Sequence, residues 1–93
     1  MVKYKQMDNV ELINKAVLEY FKNNVSNSYC KPKDLMPILI KYGLFEKDSR
    51  KGLPLRKILR YLDDNNEVYE KIPSIRIERK TKNRFWFFDN KNL

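Results

Sequence analysis

Ninety-three residues with 20 Lys and Arg against 12 Asp and Glu, no His, one Cys and a net charge of +8 suffice for one small core and not for two. Without an imidazole there is no histidine base and no histidine-containing zinc site; the lone Cys30 excludes an internal disulfide and a thiolate cluster; two glycines leave no phosphate-cradling Gly-rich loop. No apolar run approaches the roughly 20 residues that span a bilayer, so the composition argues against an enzyme, a metal or cofactor protein and a membrane protein alike, and no small-molecule ligand is inferred from it.

Residues 1–7 read as an N-terminal segment, 8–89 as the folded domain and 90–93 as a short tail. The start has no apolar stretch behind Met1, which argues against a secretory signal, and a single thiol suits a reducing compartment. The expected location is cytoplasmic. Asp8 and Glu11 make a capping-box-like start, and Val10, Ile13, Ala16, Val17, Tyr20 and Phe21 recur at helical spacing. A first helix is therefore predicted from about Asn9 to Asn23. Residues 23–28, rich in Asn and Ser, form a turn cluster, and Tyr29-Cys30-Lys31 reads as a short extended piece before Pro32.

A second helix is predicted from about Lys33 to Tyr42, with Leu35, Ile38, Leu39 and Tyr42 on one face and Gly43 as its stop. Pro37 sits awkwardly within it, since an interior proline forfeits a hydrogen bond and clashes with the preceding turn. Leu44-Phe45 reads as a hydrophobic plug, and Glu46 to Gly52 as a charged connection. The third helix, Leu53 to Asn66, begins at a first-turn Pro54 and aligns Leu55, Ile58, Leu59 and Leu62 on a narrow stripe. At about 100° per residue, Arg56, Lys57 and Arg60 centre on the opposite side. Beyond Asn66 the period becomes two. Ile75 and Ile77 alternate with Arg76 and Glu78, and Phe85-Trp86-Phe87-Phe88 follows, which predicts a β-hairpin turning near Lys80 to Asn83, where Asn83 can accept the left-handed conformation such a loop usually needs.

The charge is unevenly placed. Through Asp48 there are eight basic and six acidic residues, and from Ser49 onward twelve and six. Within the third helix the order of charges opposes the helix dipole: Arg50, Lys51, Arg56, Lys57 and Arg60 crowd its start, while Asp63 and Asp64 crowd its end. Acids are favoured early and bases late, each by roughly 0.3–1 kcal/mol. A cationic helix N-terminus is an anion-binding arrangement, and a phosphate backbone is the natural anion.

Three short helices followed by a hairpin, with the third helix and the hairpin both basic, resemble the winged helix-turn-helix superfamily from about Asp8 to Asp89. The resemblance implies an α+β winged-helix fold. It also implies a third helix that enters the DNA major groove and a wing that lies on the backbone or in the neighbouring minor groove. On this chain the expected contacts are Arg50, Lys51, Arg56, Lys57 and Arg60 of the third helix, and Arg76, Arg79, Lys80, Lys82 and Arg84 of the wing. The two cationic elements are expected to emerge on one side. The partner would be double-stranded DNA, bound without chemistry by a transcriptional regulator or an accessory factor of replication or of a mobile element. Two copies would suit half-sites about one helical turn apart.

Each basic cluster also has a plainer reading. A charged helix face is often just solvated, and edge strands carry Lys and Arg to block aggregation. Of the four aromatics, Phe85 and Phe87 should share one face of the strand, with Trp86 and Phe88 on the other. One face is expected to pack on the helices; the other needs cover or marks an interface. Stacking of Trp86 and its neighbours on bases would instead suit RNA or single strands. Basic faces turned to an acidic protein would make the domain an adaptor. Cys30 reads as a small buried apolar residue.

Overall fold

The computed structural model describes residues 8–48 and 50–91. The segment predicted over 1–7, Ser49 and the last two residues of the tail lie outside them. Helix α1 spans Asn9–Asn23 and opens on the anticipated capping box: Glu11 N–H donates to Asp8 Oδ1 at 2.8 Å, and Asp8 N–H donates to Glu11 Oε1 at 3.1 Å. Two donors that the first turn would leave unpaired are thereby satisfied. At the other end, the Asn24 side-chain amide donates to the Tyr20 carbonyl at 2.8 Å.

Strand β1 (Tyr29–Cys30) is two residues long, and helix α2 (Pro32–Lys41) starts one residue earlier than predicted, with Pro32 in its first turn. Proline lacks only an N–H that a first turn cannot use, so the helix opens on it without loss. Pro37 stays inside the helix on an exposed face. Gly43, at φ 89°, ends the helix as expected. α1 and α2 are fastened by Glu19, whose carboxylate accepts from Lys41 Nζ and from the Tyr42 hydroxyl, both at 2.6 Å. These bonds, the first from Lys41, hold Glu19 below the usual carboxylate range.

Helix α3 (Leu53–Asp64) is shorter than predicted, because Asn66 takes a left-handed φ of 59° and the Asn65 side chain caps the Tyr61 carbonyl at 2.7 Å. A helix α4 (Val68–Lys71) follows, so the described chain has four helices and not three. Four residues are too few to display a helical period, and α4 persists because Val68 and Ile72 are buried in the core. Its last carbonyl, on Lys71, accepts from the Asn14 side chain of α1 at 2.9 Å.

Strands β2 (Ile75–Arg79) and β3 (Arg84–Asp89) form the predicted antiparallel hairpin, and β1 adds to the far edge of β3, giving the order β1-β3-β2. Asn83 is not left-handed. The tip closes through Lys80 N–H donating to the Asn83 carbonyl at 2.9 Å, with no positive φ among residues 80–83. A four-residue tip can be built round a type I turn, which needs no left-handed residue.

The register pairs Ile75 with Phe88 and Ile77 with Trp86, which directs these side chains inward, and Arg76 with Phe87 and Glu78 with Phe85, which directs these outward. The core gathers Ile13 and Val17 from α1, Leu35 and Leu39 from α2, Leu55 and Leu59 from α3, and Cys30 and Phe88 from the sheet, all essentially inaccessible. Leu12 and Met36, outside the predicted stripes, are buried too, while Leu44 and Phe45 pack against the core's edge. The result is a small α+β domain, and none of its described helices is long and apolar enough to cross a membrane.

Candidate nucleic-acid interface

Gly52 brings the basic residues together. It caps α3 at φ 93°, and a Cβ there would lie 2.8 Å from the backbone nitrogen of Lys33. Only a residue without a side chain lets the start of α3 rest directly on the start of α2. Two residues before it, Arg50 and Lys51, also have positive φ, 65° and 53°. This left-handed run turns the Arg50 carbonyl toward α3, where it accepts from Arg56 Nη2 at 3.0 Å. Asp48 secures the loop by accepting the Gly52 N–H at 2.7 Å.

Two helix N-termini therefore meet, and beside them opens a groove of about 350 Å³. Lys31 and Lys33 line it from the start of α2, Lys51 from the loop, and Arg56, Lys57 and Arg60 from α3, with no carboxylate among the described lining residues. β3 contributes Phe85, Trp86 and Phe87, and the hairpin tip reaches it with Asn83 and Arg84. Partial positive charge from two helix starts adds to these side chains, so the groove should attract anions. Among the described residues, no ion pair engages Lys31, Lys33, Lys51, Lys57 or Arg60. Arg56 is half-buried, with its Nε enclosed and unpartnered.

The wing residues are placed differently from expectation. Arg79 and Arg84 face one another across the hairpin and both turn to the C-terminal end of α3. Arg79 donates through both terminal nitrogens to Asp63, each at 2.9 Å; Arg84 Nη1 donates to Asp63 at 2.7 Å and to Asp64 at 2.9 Å. Like charges directly opposed on a ladder repel, and Asp63 between them removes that repulsion. Chiefly through Arg79, and with Arg84 assisting against the opposing effect of burial, the Asp63 carboxyl is held down at about 2. Its side chain is only 8% exposed. The acids at the end of α3, unfavourable for the helix dipole, thus anchor the hairpin, which accounts for half of the reversed charge order. Arg79 and Arg84 are structural cations here.

Arg76 lies on the outer face of the sheet, its guanidinium carbon 5.4 Å from the Phe87 ring centre and 5.9 Å from that of Tyr29. Lys80 and Lys82 are exposed at the tip. Of the five wing residues expected to contact DNA, these two alone are both exposed and without an ion-pair or aromatic partner.

The aromatics divide as the alternation requires. Phe88 is in the core, and Trp86 is 5% exposed beneath the Arg84 guanidinium, 5.8 Å from the ring centre, so its ring has no open face for a base. Phe85 remains 45% exposed. Lys31 and Lys33 were not anticipated. They flank the first-turn Pro32 directly, and two bases beside a helix-opening proline are the signal in the sequence that could have placed them at a helix start. Cys30 is buried as expected, and its thiol is pushed up to about 12 by burial and then by Asp34.

Comparison with protein-family models, with curated proteins and with solved structures gives no match to this chain.

Proposed function

We propose that the chain is a winged helix-turn-helix domain that binds double-stranded DNA without chemistry, as a small transcriptional regulator or an accessory factor of replication or of a mobile element. The observation that carries this reading is the groove. Six cations from the start of α2, the adjoining loop and α3 border it, and among the described residues no acid does. Three helices succeeded by a basic hairpin support the winged-helix assignment, with α4 as an addition between them.

In this reading α3 presents Lys57 and Arg60 to the major groove, where Arg can bridge the two acceptors of guanine. The start of α2 and the loop neutralise the flanking phosphates. The wing contributes less than its charge suggested: Lys80 and Lys82 reach the backbone, while Arg79 and Arg84 hold the hairpin to α3. Titration of a labelled random-sequence duplex at increasing salt tests the reading. With about six phosphates neutralised, log K should fall against log salt with a slope near −5. A flat dependence, or no binding at low salt, removes the basis for it.

A further inference from the structure

Phe85 is the one aromatic of β3 left without a ring or cation contact. Phe87 is covered edge-on by Tyr29 at 5.7 Å and stacked by Arg76, Trp86 lies under Arg84, and Phe88 is enclosed. β1 pairs only with Phe88 and Asp89, so the Arg84–Phe87 stretch of β3 has no strand on that side and instead borders the cationic groove. An exposed ring on its own is ordinary. An exposed ring at the rim of a groove lined by cations offers two things at once, an apolar plane and fixed positive charge.

The ligand that uses both is a nucleotide whose base is not already stacked. Bases inside a duplex have both faces covered by their neighbours, whereas unpaired bases stack on aromatic side chains while their phosphates meet Lys and Arg. The groove, about 350 Å³, falls at the lower end of the range of about 300–1,000 Å³ that takes small ligands. The cavity itself encloses a nucleotide or so, while a duplex can only lie across its cationic border.

We infer that the groove holds an unpaired nucleotide next to the bound duplex, its base against Phe85 and its phosphate among Lys31, Lys33 and Lys51. The preferred substrate is then DNA with a single-stranded end or junction, and not a continuous double helix. This inference rests on the DNA-binding reading and narrows it.

The test compares, by fluorescence anisotropy at fixed salt, one labelled duplex in three forms: blunt, with a three-nucleotide thymidine overhang, and with the same overhang made of abasic residues. The thymidine overhang should bind about tenfold more tightly than the blunt form, and the abasic one should lose most of that gain, because it supplies phosphates without a stacking face. In Phe85→Ala the ratio of overhang to blunt affinity should fall to near one, and in Phe85→Trp it should return. Equal binding of blunt and thymidine-overhang duplexes overturns this inference alone. So does an abasic overhang as effective as thymidine, or a preference that survives Phe85→Ala. Failure of all three forms to bind overturns the DNA reading with it.

Discussion

Asp63 Oδ2 accepts a hydrogen bond from Arg84 Nη1 at 2.7 Å, joining residues 21 apart in sequence at the point where the hairpin meets the end of α3. The same carboxylate takes both terminal nitrogens of Arg79, so one acid ties both strands of the hairpin to the end of the helix.

Replacing that acid should loosen the hairpin. Asp63→Asn leaves two opposed arginines without their shared partner. Allowing for solvent around Arg79, the expected loss is roughly 1–2 kcal/mol at neutral pH. Chemical denaturation monitored by circular dichroism measures it.

The pH dependence has a definite sign. The folded Asp63 value, about 2, lies below the ordinary 3.8, so the stability it contributes is complete above about pH 4 and is lost as pH falls through about 2. Melting temperatures of the wild type should therefore drop across that interval by more than those of Asp63→Asn. Parallel curves for the two proteins would mean that the clamp is not formed.

On α3, Arg60→Ala should weaken duplex binding by about three- to tenfold and make the salt slope shallower by about one, with the melting temperature unchanged. Arg60 is exposed and without an ion pair among the described residues, which makes it a cleaner probe than Arg56, whose guanidinium also holds the Arg50 carbonyl. An Arg60→Ala protein with undiminished affinity would remove α3 from the interface.

Gly52→Ala addresses how the site is assembled. The left-handed backbone alone should cost about 1–3 kcal/mol, and the added Cβ must also push the Lys33 backbone from 2.8 Å. Stability and duplex affinity should fall together, because the two helix starts can no longer touch. Loss of stability with full affinity would show that the cations work independently.

Cys30 should be inert toward a disulfide thiol reagent in the native protein and react fully once denaturant exposes it. Burial and the high thiol value of about 12 leave almost no thiolate near neutrality. Rapid native labelling would place Cys30 outside the core.

Much of the architecture could be read directly from residue order. α1 matches its predicted limits because a capping box and a 3.6-residue period agree there, and the hairpin follows from alternation and the run of aromatics. α4 and the end of α3 escaped, since a single helical turn has no detectable period and Asn66 stops α3 through a left-handed φ that many residue types can avoid. The expected cations of α3 do border the groove, apart from Arg50, which supplies a carbonyl.

Periodicity and composition determined the elements, their inward faces and the excess of positive charge in the second half, because those properties belong to each segment alone. Only the tertiary structure decided which cations remain available. An arginine's freedom depends on whether an acid from a distant element comes within hydrogen-bonding reach, as Asp63 does for Arg79 and Arg84. The neighbourhood of Lys31, Lys33 and Arg60 depends likewise on a backbone approach at Gly52 that no local pattern encodes.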